Sequence, residues 1–353
     1  MPPGRRYEAI DVLQLQHASL QPANQLDADM LIRFWGTRGS LPVALTANAV
    51  LEKVARALLG AEGRKPADLD EARALARSLP FEVGQTYGGH SSCVEIETAP
   101  PTAAGHDYVL CDLGTGLRPF GNRVLARHGA GVPNTFHIFV SHLHWDHLMG
   151  FPLFTPAYLP GNRIRLYGCH RDLEAALRRQ HGAPSFPVEF DQLQARIEFV
   201  PLEAGVTTEV AGLEVTPKLQ LHAGDSYGFR FERGGKSFVY STDSEHKLED
   251  EAALQGFVDF FREADLVCFD AMYSFAEAIS VKADWGHSSN VMGVNLCHRA
   301  GARQLALFHH EPIHDDARIA AIEAETRRYE EIARLSHRAL GVFAAYDGLE
   351  VRL

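Results

Sequence analysis

The chain has 353 residues, of which 46% are hydrophobic and 22% charged, a composition typical of a globular protein rather than a disordered one. Its formal net charge of -11 at pH 7 argues against a protein that binds nucleic acid mainly by neutralising phosphates. The five cysteines form no CxxC pair, no apolar stretch is long enough to span a membrane, and the N-terminus lacks the apolar region of a signal peptide, so we expect a cytoplasmic protein.

The first quarter of the chain begins with a polar segment and contains a pair of helical patterns. Residues 1–29 are weakly patterned, so we expect an N-terminal extension, with folding beginning near Met30 and a first strand at residues 31–35. Helices are predicted at residues 47–59 and 68–79. We interpret them as a helical insertion at about 43–85 within one domain of residues 30–353. A lid, a subunit contact and surface decoration all stay open as its role.

Two further strands are predicted at residues 92–97 and 108–113, and the second leads into the sequence DLGTG. The two glycines of this sequence allow a sharp turn, which would leave Asp112 at the end of a strand. Its carboxylate could fix the tautomer of a nearby histidine, or Asp112 could simply form the turn.

The most informative stretch is FHIFVSHLHWDHLMG, at residues 136–150. Its first half predicts a buried strand, and a strand alternates its side chains, so His142, His144 and Asp146 can converge on one point. His147 follows directly. Imidazole nitrogens and carboxylate oxygens are common ligands of first-row divalent metals, so the stretch predicts a metal site at a strand end. Any one of these histidines could otherwise be an ordinary surface residue.

The second half of the chain places further polar residues at strand ends. A hairpin is predicted from residues 227–232 and 237–240, with His222 before it and Asp243 after it. A buried strand ends at Asp270, and the strand at residues 304–308 runs into two adjacent histidines.

Helices are predicted between and after these strands, at residues 250–264, 288–299 and 316–338, and a short hairpin at 342–353 closes the chain. Two groups of strands with helices between and after them suggest two sheets sandwiched by helices.

The SHLHWDH motif resembles the signature of the metallo-β-lactamase-fold hydrolases, and other motifs agree with it: RFWGTRGS, YGGHSSCVEI, DLGTGLRPFG, YSTD, GHSS and LFHHEP. The resemblance implies an α/β fold, an αββα sandwich of two mixed β-sheets flanked by helices. It also implies two divalent metal ions with shared ligands: His142, His144 and His222 for one, Asp146, His147 and His309 for the other, and Asp243 as the bridge. His309 is preferred because it directly follows the strand, and His310 stays open. Zinc is the default metal, and manganese or iron suits the same ligands.

Two shorter motifs resemble the ribonuclease Z branch of this superfamily. GHSS contains His287 and DAMYS contains Asp270, where that branch has a histidine beside the reacting phosphate and an acidic residue that supports it. The implied catalytic residues are His287, Asp270 and the metal ligand Asp146. Glutamate usually stands at the position of Asp270, and the bacterial group that the motifs resemble has asparagine where His90 stands and lacks so long an insertion.

The expected function is that of a binuclear metal-dependent hydrolase, a phosphodiesterase for a small cyclic or linear phosphodiester such as a cyclic nucleotide, with a metal-bridging hydroxide as nucleophile. A lactone or thioester hydrolase and a protein that binds metal with little turnover are the alternatives. A tRNA 3′-processing nuclease is disfavoured because Asp243 follows His222 by only 21 positions, which leaves no room for the RNA-binding arm of ribonuclease Z enzymes. We expect no membrane or nucleic acid partner. A homodimer is compatible with the sequence, because relatives of this branch often pair and the inserted helices offer a surface.

Overall fold

The computed structural model describes residues 30–98, 105–247, 250–274, 277 and 285–353. The predicted N-terminal extension, residues 1–29, lies outside these ranges. No helix within them combines the length and the apolar character needed to cross a bilayer.

The described strands form two seven-stranded sheets. Sheet one has the order β14-β1-β2-β3-β4-β5-β6, from strands Glu350–Arg352, Leu31–Gly36, Cys93–Glu97, Asp107–Cys111, Thr135–Phe139, Arg163–Gly168 and Arg196–Pro201. Sheet two has the order β13-β12-β11-β10-β9-β8-β7, from strands Gly341–Ala344, Gln304–Phe308, Leu266–Asp270, Lys236–Ser241, Ser226–Arg233, Leu213–Gln220 and Thr208–Val210.

Each sheet is mixed. In sheet one, β3 to β6 run parallel while β14, β1, β2 and β3 pair antiparallel. In sheet two, β10 to β13 run parallel while β7 to β10 pair antiparallel. The hairpin of β9 and β10 turns through Gly234 and Gly235, both with positive φ (57° and 76°), as the sequence predicted.

The helices flank the two sheets: α1 Ala47–Gly60, α2 Leu69–Ser78, α3 Phe81–Gly84, α4 Leu117–His128, α5 Trp145–Leu148, α6 Leu173–Gln180, α7 Glu251–Phe261, α8 Asn290–Ala300 and α9 Asp316–Ala333. Side chains at their N-termini cap several of them: Asp68 accepts from two backbone amides of α2, and Ser289 and Asp315 cap α8 and α9.

The buried side chains form three apolar layers, as an αββα sandwich requires. The layer between the sheets is rich in aromatic residues, including Phe34, Phe139, Phe229, Phe231, Phe238 and Phe308. A second layer packs α7, α8 and α9 on sheet two, and a third packs α4 and the segment after β4 on sheet one. Because both faces of each sheet are covered, the central strands read as nearly continuous apolar runs. The predicted fold class is confirmed.

Two predictions at the C-terminus are wrong. The last two strands do not form a hairpin, because β13 pairs with β12 in sheet two whereas β14 pairs with β1 in sheet one. The last helix, predicted at residues 316–338, ends at Ala333, and Ile332 and Leu335 near its end are exposed.

The predicted insertion contains α1, α2 and α3. No residue of α1 or α2 is buried, and α1 presents Leu51, Val54 and Leu58 to solvent. Its opposite side is attached through Lys53, whose ammonium group bonds the Asp316 carboxylate at 2.6 Å and the Glu82 carbonyl. The division into an extension, one domain and an insertion stays a prediction.

Candidate metal centre

The predicted site residues follow strands that end at the same edge of the sandwich. In sheet one, the parallel strands β3 and β4 lead into Asp112 and His142. In sheet two, the parallel strands β10, β11 and β12 end at or lead into Asp243, Asp270 and His309. The carboxyl ends of parallel strands share one edge of a sheet, so the topology brings together residues that are far apart in the sequence.

One group of candidate ligands consists of His142, His144, His222 and Asp243, whose ligand atoms lie within 4.8 Å of one another. His222 Nε2 lies 3.1 Å from His144 Nδ1, and Asp243 Oδ2 lies 3.5 Å from His142 Nε2. Burial lowers the pKa of His142 well below its ordinary value, so its ring is neutral and can offer a lone pair. Its buried Nε2 has no hydrogen-bond partner in the described part of the protein.

A second group consists of Asp146, His147, Asp243 and His309, all of them buried. The Nε2 atoms of both histidines lie 3.1 Å from Asp146 Oδ2 and 3.2 Å from Asp243 Oδ1. Burial disfavours the charged form of His147, but the surrounding carboxylates outweigh burial and raise the pKa of this ring well above its ordinary value. This half of the site therefore attracts positive charge.

Hydrogen bonds at Nδ1 turn the Nε2 atoms of His222 and His147 toward the centre of the site. The carbonyl of Gly286 accepts from His222 Nδ1 at 2.8 Å, and the carboxylate of Asp112 accepts from His147 Nδ1 at 2.7 Å. The Nε2 atom of each ring therefore points to the centre, where it meets carboxylate oxygens and other imidazole nitrogens, and a cation that displaces the proton of His147 would receive a lone pair there. Buried acceptors that face one another are unfavourable unless a cation lies among them. The residues thus fit divalent metal ions.

Asp112 orients His147, a member of the second group, through the ring nitrogen that does not face the other candidate ligands. Its Oδ2 atom accepts from His147 Nδ1, from the Tyr240 hydroxyl at 2.7 Å and from the Ser141 hydroxyl at 2.8 Å, and its Oδ1 atom accepts from the Ser141 amide at 2.7 Å. These contacts fix the tautomer of His147, which is the first of the two roles that the sequence left open.

His287 and Asp270 lie beside both groups and form a third candidate group with His309, whose ligand atoms also lie within 4.8 Å of one another. His287 Nδ1 donates to Asp270 Oδ2 at 2.9 Å and lies 4.0 Å from Asp243 Oδ2. The His287 ring is 5.1 Å, between centroids, from the rings of both His222 and His309. Burial opposes the protonated form of His287, but the carboxylate of Asp270 outweighs burial and raises the pKa of His287 to about 9.

His309 and His310 point in different directions. The ring of His309 faces Asp146 and Asp243, whereas His310 Nε2 donates to the carbonyl of Ala345 at 2.8 Å. Burial lowers the pKa of His310 to about 3, which keeps this ring neutral. The Nδ1 atom of His90 lies 3.2 Å from Thr115 Oγ1, and His90 is outside the ligand groups found among the described residues.

Three residues that position the candidate ligands have roles that the sequence does not predict. The Ser40 amide donates to Asp146 Oδ2 at 2.8 Å. A Cβ atom on Gly39 would lie 2.4 Å from His309 Nδ1, and one on Gly286, where φ is +79°, would lie 2.6 Å from His222 Nδ1. The motifs RGS and WGH contain these residues, but their roles depend on contacts with distant segments.

The backbone is strained at the site. Asp112, Asp243 and His309 have positive φ values of 63°, 40° and 60°, a region that residues other than glycine rarely adopt. Such strain costs about 1–3 kcal/mol per residue and is concentrated at functional sites.

Known proteins resemble the chain in sequence and in fold. A family model described as a beta-lactamase superfamily domain matches residues 107–310, more than half of the chain. The ribonuclease Z of Haloarcula marismortui is 26% identical over 251 residues, which cover 58% of this chain and 76% of that protein. Yeast PDE1 superposes with a TM-score of 0.60 at 12% identity, covering 92% of this chain and 100% of that one. The metallo-beta-lactamase fold protein YhfI from Bacillus subtilis superposes with a TM-score of 0.58 at 15% identity, with the same coverage. The two structural likenesses show a shared fold.

Proposed function

The chain belongs to the beta-lactamase superfamily domain family, and from that premise we propose that it is a binuclear metal-dependent phosphodiesterase for a small cyclic or linear phosphodiester. It is a hydrolase of the metallo-β-lactamase fold. The observation that carries the proposal is the position of Asp243, whose two carboxylate oxygens face the two ligand groups while His287 stands 4.0 Å from it.

The proposed ligands are the seven side chains of the two groups: His142, His144 and His222 for one ion, Asp146, His147 and His309 for the other, and Asp243 between them. When bound, such ions lower the pKa of water to about 7 and offset the negative charge on phosphoryl oxygens. Zinc is the first choice for imidazole and carboxylate ligands, and manganese and iron are the alternatives.

His287 is the proposed proton donor to the leaving oxygen. Because its Nδ1 donates to Asp270, the second ring nitrogen is left to contact a phosphoryl or leaving oxygen. Asp270 stabilises the protonated ring and is a positioning residue, held in turn by the backbone amides of Ser244 at 3.1 Å and Met272 at 3.2 Å. A phosphodiester needs such a donor at neutral pH because its alkoxide leaving group is strongly basic.

Cleavage of precursor tRNA is the second candidate, because the relative in Haloarcula marismortui is named a ribonuclease Z. The chain between His222 and Asp243 argues for a small substrate, since the hairpin of β9 and β10 occupies most of it and turns through two glycines. An RNA-binding arm at this place would need a longer segment.

A substrate panel tests the proposal. Metal-replete protein is incubated with bis(p-nitrophenyl) phosphate, a 3′,5′-cyclic nucleotide, a precursor tRNA with a 3′ trailer, a lactone and a thioester. We expect turnover of the two small diesters, with little cleavage of the tRNA. Preferential cleavage of the tRNA would favour the nuclease. Turnover of the lactone or the thioester alone would overturn the phosphodiesterase assignment.

A further inference from the structure

Two of the three tryptophans of the chain are exposed, and both lie beside candidate metal ligands. Trp145 is 78% exposed and stands between His144 and Asp146, and Trp285 is 60% exposed and precedes Gly286. Leu221, immediately before His222, is 52% exposed. We call Trp145, Leu221 and Trp285 the apolar rim.

The residues of the apolar rim are chain neighbours of the more exposed ligand group or of its hydrogen-bond partner Gly286. His222 lies next to a chain neighbour of each tryptophan of the rim. Its Nε2 atom is 3.1 Å from His144, which precedes Trp145, and its Nδ1 atom donates at 2.8 Å to the carbonyl of Gly286, which follows Trp285. Leu221 directly precedes His222 in the chain. His144 is itself exposed, whereas every ligand of the second group is buried. The first ligand group is therefore reached from solvent at His144, the chain neighbour of Trp145.

We propose that the apolar rim binds the aromatic base of a nucleotide phosphodiester, with Trp145 and Trp285 as stacking surfaces. This inference rests on the proposed function, because it specifies the group that the scissile phosphate carries. An exposed indole is a large, rigid apolar surface that loses little conformational entropy on binding. Base stacking on aromatic side chains tolerates every base, because each base has a π-face.

The sequence next to the rim residues favours a single nucleotide over a long nucleic acid. No lysine or arginine stands within two positions of any rim residue. Proteins that follow a nucleic acid backbone combine stacking surfaces with a basic groove, which neutralises successive phosphates. Here the single phosphate is met by the metal centre, and the rim provides contacts for the base alone.

The test compares two ligands that differ only in the base. Calorimetric titration of the zinc-loaded protein measures the Kd of adenosine 5′-monophosphate and of ribose 5-phosphate. We expect the nucleotide to bind about tenfold or more tightly than the sugar phosphate. Replacing either tryptophan, Trp145→Ala or Trp285→Ala, should weaken nucleotide binding about 5- to 150-fold, equivalent to ~1–3 kcal/mol, and weaken sugar phosphate binding less than about twofold.

Two further variants separate stacking from general apolar contact. Trp145→Phe should retain most of the nucleotide affinity, whereas Trp145→Leu should lose nearly as much as Trp145→Ala. Leu335→Ala, which removes an exposed leucine near the C-terminal end of α9, is the control and should change neither Kd.

Equal affinity for the two ligands would overturn the inference, as would alanine variants that bind the nucleotide like the wild type. A change of oligomeric state in the tryptophan variants would also overturn it, because the rim would then be an interface between copies. Failure of the proposed function is a different result, namely no turnover of any diester by the wild type. The binding comparison would still decide the role of the rim in that case.

Discussion

His309 and His310 are neighbours in the chain, but only His309 faces the site carboxylates. We predict that His309→Gln lowers the bound metal by about one ion per chain, because it removes one ligand of the second group. The matched variant His310→Gln should retain both ions, since it removes only a bond to the Ala345 carbonyl. Plasma mass spectrometry of the dialysed proteins measures the difference, and equal metal loss in both variants would contradict the assignment.

His287 stands beside Asp243 without belonging to either ligand group that contains it. We predict that His287→Ala keeps the metal content of the wild type and lowers kcat on a phosphodiester by about 10²–10⁴, the usual contribution of a general acid. The measurement is steady-state hydrolysis of a 3′,5′-cyclic nucleotide. An unchanged kcat would show that His287 does not donate the proton to the leaving oxygen.

The sequence predicted the types and the chain order of the site residues better than the contacts between them. His142, His144, Asp146 and His147 lie within six residues, so their convergence follows from strand geometry. The Ser40 amide binds a carboxylate 106 positions further along the chain, and a contact of this kind leaves no local pattern.

Among the elements, α9 carries a buried carboxylate, Glu330, near its C-terminal end. Glu330 accepts from Arg334 at 2.6 and 2.9 Å, from the Leu340 amide at 3.0 Å and from His298 of α8 at 3.2 Å. Burial opposes ionisation of Glu330, but these donors outweigh burial and lower its pKa to about 2. The lowered pKa stabilises the fold at neutral pH, with a contribution that is fully present above the unfolded-state pKa of about 4.3 and is lost as the pH falls towards 2.

We predict that Glu330→Gln lowers the free energy of unfolding at pH 7 by on the order of 2–3 kcal/mol, and that the difference from the wild type shrinks between pH 5 and about 2. Urea denaturation across this range measures it. The control is Glu331→Gln, which removes an exposed carboxylate paired with Arg328 and should have little effect. A difference that stays constant from pH 7 to pH 2 would show that the charge of Glu330 is not its cause.

Helix α1 is the element whose role is least defined by the fold. Leu51 and Leu58 are 62% and 71% exposed and lie on one face of the helix. If the insertion is a subunit contact, Leu51→Glu with Leu58→Glu should convert a dimer to a monomer in sedimentation velocity, whereas Glu52→Lys on the same helix should not. A wild-type protein that is monomeric at all concentrations would rule out a subunit contact and leave a lid or surface decoration as the role of the insertion.

The elements that the sequence predicted well are those with strong local signals. Asp68 caps the helix predicted at residues 68–79, and a glycine pair turns the predicted β9–β10 hairpin, so the structure reproduces these boundaries closely. The separation of β13 from β14 was not predictable in this way, because short strands take their partners from distant parts of the chain.

For the whole molecule, the two sheets explain why a dispersed set of residues forms one site. The parallel strands of both sheets end at the same edge, so site residues that are far apart in the sequence come together there. The sequence motifs predicted the fold class. The apolar rim is visible only in the structure, because the sequence alone does not determine whether the two tryptophan side chains are exposed.

The proposed function requires that the side chains around Asp243 hold two metal ions for the hydrolysis of a phosphodiester. The most direct test is to titrate metal-free protein with zinc and follow the hydrolysis of bis(p-nitrophenyl) phosphate, with Asp243→Ala beside the wild type. We predict no activity without metal, a rise that reaches its plateau at about two equivalents per chain, and no comparable rise in the variant. A plateau at one equivalent, or no hydrolysis with zinc, manganese or iron, would contradict the account.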